Sequence, residues 1–383
     1  MPRDKIKVVH LTSVHSPFDS RIFQKECQSL ASAGFDVALV VPHGKREVVE
    51  GIKIIPVEPA SGRFHRMTTT ARRVVRLAAR QRAGIYHLHD PELLPWCGAL
   101  KRQGAIVVFD MHEDLPHQII NKVWLPRAFR PVVSRLVKMY ERILLENVPT
   151  VFAEKSYTVS RRWIKESVDI LNFPKTDLID QMSNESGTPA GFKVGYLGTV
   201  TPERGSFRIL EALSKVQGGG REIEFDCIGT IPPGHLRELN DRADELGVRG
   251  VDYVGYLAPT DGWARMAQSD VGLAVLEPIP NYLESYPTKI FEYMSMGIPS
   301  IVSDFPLYRE IIEKFQCGIL VDPLDAGSIA EAIIRLMDNP DEAAEMGARG
   351  KEAARSHFSW ESEQEKLIEF YSRLLASKGN SRN

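Results

Sequence analysis

Two glutamates, Glu284 and Glu292, stand with seven residues between them in a segment that could bind a hydroxylated, phosphorylated ligand. The apolar run VGLAVLEP (271–278) precedes them and predicts a buried strand, because its hydrophobicity does not alternate. Three prolines punctuate the loop that follows. Thr288 then opens a short helix, TKIFEYMSMG, which Gly297 and Pro299 stop. PSIVSD (299–304) predicts the next strand. The helix start therefore faces the carboxyl edge of a parallel sheet, where open α/β folds bind ligands. Its unpaired N–H groups and partial positive charge suit a phosphate. Carboxylates accept hydrogen bonds from sugar hydroxyls, and Glu292 lies two turns into the helix. The spacing alone fits an ordinary strand–helix–strand crossover with two solvated glutamates equally well.

Other polar residues also fall at predicted strand ends. The loop Gly198–Gly205, with Thr199 and Arg204, follows the strand FKVGYLGTV, and Thr230 and Ile231 follow EIEFDCIGT. His15, Asp19 and Arg21 lie in the loop after the first strand, where Asp19 could equally cap a helix. His87, His89 and Asp90 end one strand, and His112 ends another. His112 and His117 flank a glutamate. Their spacing is one residue too long for a His-Glu-x-x-His zinc motif, and Pro116 interrupts the helix that motif needs, so zinc is rejected there. No metal ligand is assigned.

These residues need two scaffolds. Strands alternate with helices from Ile6 to Pro174, and again from Gly191 onward, where helices begin near Gly205, Gly234, Thr260, Thr288, Pro306 and Ser328. Such alternation predicts α/β domains with doubly wound parallel sheets. The expected boundaries are 1–174 and 191–357, with a polar linker at 175–190 and a helical tail at 358–383. Apolar Phe129, Val132, Val133, Leu136, Val137, Tyr140, Ile143 and Leu144 predict the core stripe of a long helix.

At 383 residues the chain has room for two domains. No apolar run reaches the length of a membrane span, and the N-terminus lacks a signal-like apolar stretch. The four cysteines are far apart, which suits buried thiols and a cytoplasmic location. Net charge is −2 but unevenly spread, at +10 over residues 1–172 and −12 over 173–383. The segment Arg63–Arg82 holds seven arginines and no acid, with Met67, Ala71, Val74, Val75 and Ala78 at helical spacing. It predicts a basic amphipathic helix suited to anionic lipid. Trp124 and Leu125, set among cations, suit the same membrane interface and equally suit closing over an acceptor. No nucleic-acid motif is present.

The pattern from Glu284 to Asp304 resembles the donor-site motif of family 4 glycosyltransferases, which are retaining, metal-independent enzymes of the GT-B fold found in bacterial polysaccharide and glycoconjugate biosynthesis. The resemblance covers most of the chain. It implies two Rossmann-like domains facing across a cleft, with a C-terminal helix crossing back to the first. It also implies transfer of a sugar from a nucleotide-diphospho-sugar, with UDP favoured, to a saccharide or lipid-linked acceptor, without a cofactor. His112 and Glu284 would then hold the sugar, and Glu292 the ribose. Arg204 and Lys289 would stabilise the departing diphosphate. Gly198, Thr199, Thr230, Ile231, Tyr286 and Thr288 would complete the donor site, and His15, Asp19 and Arg21 would face the acceptor. The chain departs from the family pattern twice. Ser285-Tyr286-Pro287 replaces Gly-Phe-Gly, so one phosphate-facing N–H is missing, and Thr199 stands where an arginine is usual. A nucleotide-sugar epimerase, which would turn over donor without acceptor, and a non-catalytic membrane- or nucleic-acid-binding module are the competing readings.

Overall fold

The computed structural model describes residues 5–121, 126–183 and 191–380, so Trp124 and Leu125 lie outside the described residues. The chain forms two compact units, residues 1–172 together with 362–383, and residues 173–361.

The first unit is built on an eight-stranded sheet. Its strands are β1 (Lys7–Leu11), β2 (Asp36–Pro42), β3 (Glu47–Val49), β4 (Ile52–Val57), β5 (Ile85–Leu88), β6 (Ile106–Met111), β7 (Thr150–Phe152) and β8 (Ser167–Asp169). They lie in the order β3-β4-β2-β1-β5-β6-β7-β8 and are parallel except for the β3–β4 hairpin. β1 registers His10 against His87 of β5, which places the imidazoles of both strands together. The core is aliphatic, with Val9, Leu11, Val40 and Leu88 fully buried. Continuous burial along β2 and β5 follows from helices covering both faces of a parallel sheet.

The second unit carries six parallel strands: β9 (Lys193–Leu197), β10 (Glu224–Ile228), β11 (Val251–Gly255), β12 (Val271–Ala274), β13 (Ser300–Ser303) and β14 (Gly318–Val321). Their order is β11-β10-β9-β12-β13-β14. The reversal beside β9 is a topological switch point, so the loops after β9 and β12 open a crevice at the carboxyl edge. Gly272 on β12 lies under the Tyr293 ring. A Cβ there would approach the ring to 2.5 Å, so glycine lets the helix Thr288–Met296 seat closely on the sheet.

Three expectations fail here. Residues Thr176–Ser183, assigned to a linker, form a helix. Ile179 is fully buried, the helix packs on Pro259–Met266 and Thr288–Met296, and Asp180 pairs with Lys351 and Arg355. Its polar composition hid a narrow apolar face. In the helix Arg130–Leu145 most of the predicted core stripe points outward, with Leu136 54% and Ile143 67% exposed, while Val133, Val137 and Leu144 are half-buried and Leu144 packs on the core. Ser134, Glu141 and Leu145 face inward instead. The Ser134 hydroxyl donates to the Pro116 carbonyl, and Glu141 accepts from Arg161, so buried polar groups are paired. In the basic segment, Ala71, Val74, Val75 and Ala78 are buried, but Met67 is 52% exposed. Residues Arg66–Thr70 form a π-helical turn, which shifts the helical phase and buries Thr70 where the regular period predicts Met67. Among the described residues, no helix is long and apolar enough to cross a membrane.

Candidate active site

In the second unit, the loop after β9 and the helix after β12 enclose a pocket of ≈ 260 Å³. Gly198, Arg204, Tyr282, Tyr286, Thr288, Lys289 and Glu292 are among its lining residues. The loop turns tightly. Gly205 has φ +78°, and a Cβ there would lie 2.0 Å from the Val275 carbonyl oxygen, so this close approach requires glycine. Arg204, in the short turn Pro202–Arg204 just before it, sits over the Tyr282 ring at 5.7 Å.

Lys289 is buried, and its ammonium nitrogen makes no hydrogen bond among the described residues. It lies 3.4 Å from the centre of the Tyr196 ring. Burial, then the nearby Arg204 charge, hold its pKa well below the ordinary lysine value. A buried amine beside a second cation is poised for an anion, which would favour its charged form and supply the missing partner. Glu292 is oriented by Trp263, whose indole N–H donates to Oε1 at 3.1 Å. The pocket thus joins two cationic groups, a helix start and an oriented carboxylate, the chemistry required to hold a diphosphate next to a polyol.

Of the residues expected here, Gly198, Arg204, Tyr286, Thr288, Lys289 and Glu292 line the pocket. Glu284 is exposed, one residue before the lining residue Ser285. Thr199 is exposed beyond the lining, and its carbonyl accepts from the Tyr196 hydroxyl. Thr230 and Ile231 are also outside the lining. The Thr230 carbonyl accepts from Val200 N–H, and Ile231 packs against the core. Thr230 is exposed and Ile231 half-buried.

A second pocket, of ≈ 180 Å³, opens in the first unit at the carboxyl edge of β1, β5 and β6. His15, Arg66, Asp90, Glu92 and His112 are among its lining residues. His112 Nδ1–H donates to Asp110 Oδ2 at 3.2 Å, which leaves Nε2 facing His15 Nε2, also at 3.2 Å. Burial opposes protonation of His15, but its hydrogen bond to Asp19 and the Asp90 charge outweigh burial and raise its pKa. Arg21 corrects an expectation. It is buried, and its guanidinium grips Asp110 with two hydrogen bonds at 2.7 and 2.9 Å. It is thus a structural anchor of the β6 carboxylate and is not presented to an acceptor. Asp19 Oδ1 accepts from the N–H groups of Arg21 and Ile22, a capping role. Asp90, Glu92 and Arg66 complete this pocket although no motif marked them; Asp90 alone was visible as a strand-end acid.

Residues 180–353 match the family model "Glycosyl transferases group 1", and residues 20–161 match the "Glycosyl transferase 4-like domain". The chain is 24% identical over 354 residues to the phosphatidyl-myo-inositol mannosyltransferase of Mycolicibacterium smegmatis, covering 89% of this chain and 86% of that protein. Sucrose-phosphate synthase from Thermosynechococcus elongatus has a similar structure, with TM-score 0.75 at 18% identity over 97% of this chain and 100% of that one. So has Anabaena Alr3699/HepE in complex with UDP and glucose, with TM-score 0.70 at 15% identity over 96% of this chain and 99% of that one. With two Rossmann-like units and a family model matching each, the chain belongs to the family 4 glycosyltransferases of the GT-B fold.

Proposed function

We propose that this glycosyltransferase moves a sugar from a nucleotide-diphospho-sugar to a saccharide or lipid-linked acceptor, with retention of anomeric configuration and without a catalytic metal. The observation that carries this reading is the pairing of Arg204 with the unpartnered Lys289 in one pocket beside the Thr288–Met296 helix start. As the sugar–phosphate bond breaks, negative charge grows on the leaving diphosphate. Fixed cations in a partly dry pocket stabilise that charge more than they stabilise the ground state. Glu292, held by Trp263, accepts from the ribose hydroxyls. Contacts to the transferred sugar are the roles proposed for His112 and Glu284. The acceptor hydroxyl attacks on the face the leaving group vacates, so no separate strong base is assigned. A UDP-sugar donor is favoured by the family resemblance and by the UDP bound to the Anabaena neighbour.

We also assign a peripheral contact with anionic membrane to the first unit. Its support is the outward face of Arg130–Leu145, where exposed Val132, Leu136, Met139 and Ile143 alternate with Arg135, Lys138 and Arg142. Exposed Phe64 and Met67 lie among the arginines of 63–82 in the same way. Apolar side chains flanked by cations suit the headgroup boundary. A cytoplasmic location follows from the same reading.

The test is a thermal-shift panel of nucleotides and nucleotide sugars, followed by product analysis with donor plus candidate acceptors. A specific donor stabilises by mass action and identifies base and sugar together. Stabilisation by no nucleotide would overturn the proposal.

A further inference from the structure

Behind the first-unit pocket, three imidazoles and a carboxylate meet in the core. His10 lies on β1, His87 on β5, His89 just past β5, and Glu26 on the π-helical turn Ile22–Cys27. The side chains of all four are fully buried. One ligand-type atom from each lies within 4.8 Å of the others. His10 Nδ1 and His89 Nε2 are 2.9 Å apart. Glu26 Oε2 stands 3.8 Å from His10 Nδ1, 3.6 Å from His87 Nδ1 and 3.9 Å from His89 Nε2.

From this arrangement we infer a structural site for a divalent transition metal of tetrahedral preference, zinc being the best fit, held by His10, Glu26, His87 and His89. Four ligands about 2.0–2.1 Å from a zinc ion lie roughly 3.3 Å from one another, and the four separations above bracket that value. Three imidazoles and a carboxylate are a zinc-type donor set.

Two further features point to a cation. The Glu26 carboxylate is only half partnered: Oε1 pairs with the Arg21 guanidinium at 3.2 Å, while Oε2, with no hydrogen bond among the described residues, faces the three rings. A buried oxygen left this way lacks a partner on its ring-facing side, which a metal would supply. The outer shell is in place for one of the three imidazoles, His89; His10 Nε2 and His87 Nε2 have no hydrogen-bond partner among the described residues. His89 Nδ1–H donates to Asp110 Oδ2 at 3.1 Å, which fixes the tautomer and turns Nε2 inward as a ligand, the carboxylate–histidine arrangement typical of metal sites. The Tyr371 hydroxyl lies 2.8 Å from His87 Nδ1, and metal entry exchanges that hydrogen bond for a coordinate bond. A π-helical turn, rare in ordinary helices and common at functional positions, delivers Glu26 to the cluster.

None of the four residues is assigned a role in the proposed transfer step, so the site is proposed as structural. The test is elemental analysis of the full chain, purified without chelator from zinc-supplemented medium, with a second preparation from cobalt medium for visible spectroscopy. About one equivalent of zinc per chain is expected, with intense visible bands from tetrahedral cobalt. His10→Ala and Glu26→Gln should each lower retained metal at least about 10-fold. Less than about one-tenth equivalent in the parent chain, with no cobalt bands, overturns the site and leaves a hydrogen-bonded imidazole network only. Undiminished metal in both variants also overturns it, by placing the ion elsewhere. The parent measurements decide even if the variants fail to fold.

Discussion

The Lys289 ammonium sits 3.4 Å from the centre of the Tyr196 ring, with that ring as its nearest electrostatic support. A cation–π contact offsets only part of the cost of burying an ammonium, on the order of 2 kcal/mol when desolvated. Lys289→Met keeps the length of the side chain and removes the charge. Thermal stability should hold or rise, while turnover should fall about 100-fold or more through loss of a leaving-group cation. Differential scanning fluorimetry and steady-state kinetics on one preparation separate the two effects. Unchanged turnover would remove Lys289 from the mechanism.

Arg204→Ala should lower kcat by roughly two orders of magnitude, with a smaller loss of donor affinity. If KM alone rises while kcat holds, Arg204 binds the ground state only and another cation carries the chemistry.

Divalent cations should not change turnover. Brief EDTA treatment, followed by Mg²⁺ or Mn²⁺, should leave the rate as it was. Loss on chelation with recovery on Mg²⁺ or Mn²⁺ would replace the cationic pocket by a metal-assisted mechanism.

Binding to anionic liposomes should be salt-sensitive. Each cation at such a surface contributes about 1 kcal/mol, and screening acts within about 10 Å at 0.1 M salt. The triple variant Arg72→Glu, Arg73→Glu, Arg76→Glu should remain in the supernatant on co-sedimentation. So should Leu136→Asp with Ile143→Asp, which changes exposed positions only. Equal pelleting of both variants would exclude these two faces.

The Asp19 carboxyl titrates at about 2. Burial alone would raise it, but the hydrogen bonds from His15 and the Ile22 N–H lower it below the ordinary 3.8. A depressed folded-state pKa contributes stability above 3.8 and loses it as pH falls towards 2. Asp19→Asn should therefore destabilise the fold by about 1–2 kcal/mol at pH 7, and by much less near pH 2. Denaturant titrations at the two pH values measure the difference.

The parallel strands of the second unit were legible because its buried runs do not alternate and glycine or proline bounds most of them. The grouping of Arg204, Thr288, Lys289 and Glu292 around one pocket was legible too, since they follow the carboxyl ends of β9 and β12 in a fixed order. Three features were not. A π-helical turn shifts the phase of any periodic reading, so Met67 was assigned to the wrong face. The outward apolar stripe of Arg130–Leu145 has the period of a core helix, and only the Ser134 and Glu141 pairings decide which face turns in. The His10–Glu26–His87–His89 grouping joins residues from two strands and a helix that sequence spacing does not connect.

The return of residues 362–383 to the first unit sets an order for synthesis. Glu363, Leu367, Phe370 and Tyr371 are almost completely buried, Glu363 accepts from the Leu171 N–H, and the Tyr371 hydroxyl bonds to His87 in the core. A ribosome that has delivered residues 1–172 has therefore not delivered the helix that closes that unit. The second unit is continuous in sequence and can complete its core first. The nascent first unit, lacking the Tyr371 partner of His87 and the Glu363 acceptor for Leu171, must wait for the whole second unit to be made before its core is closed.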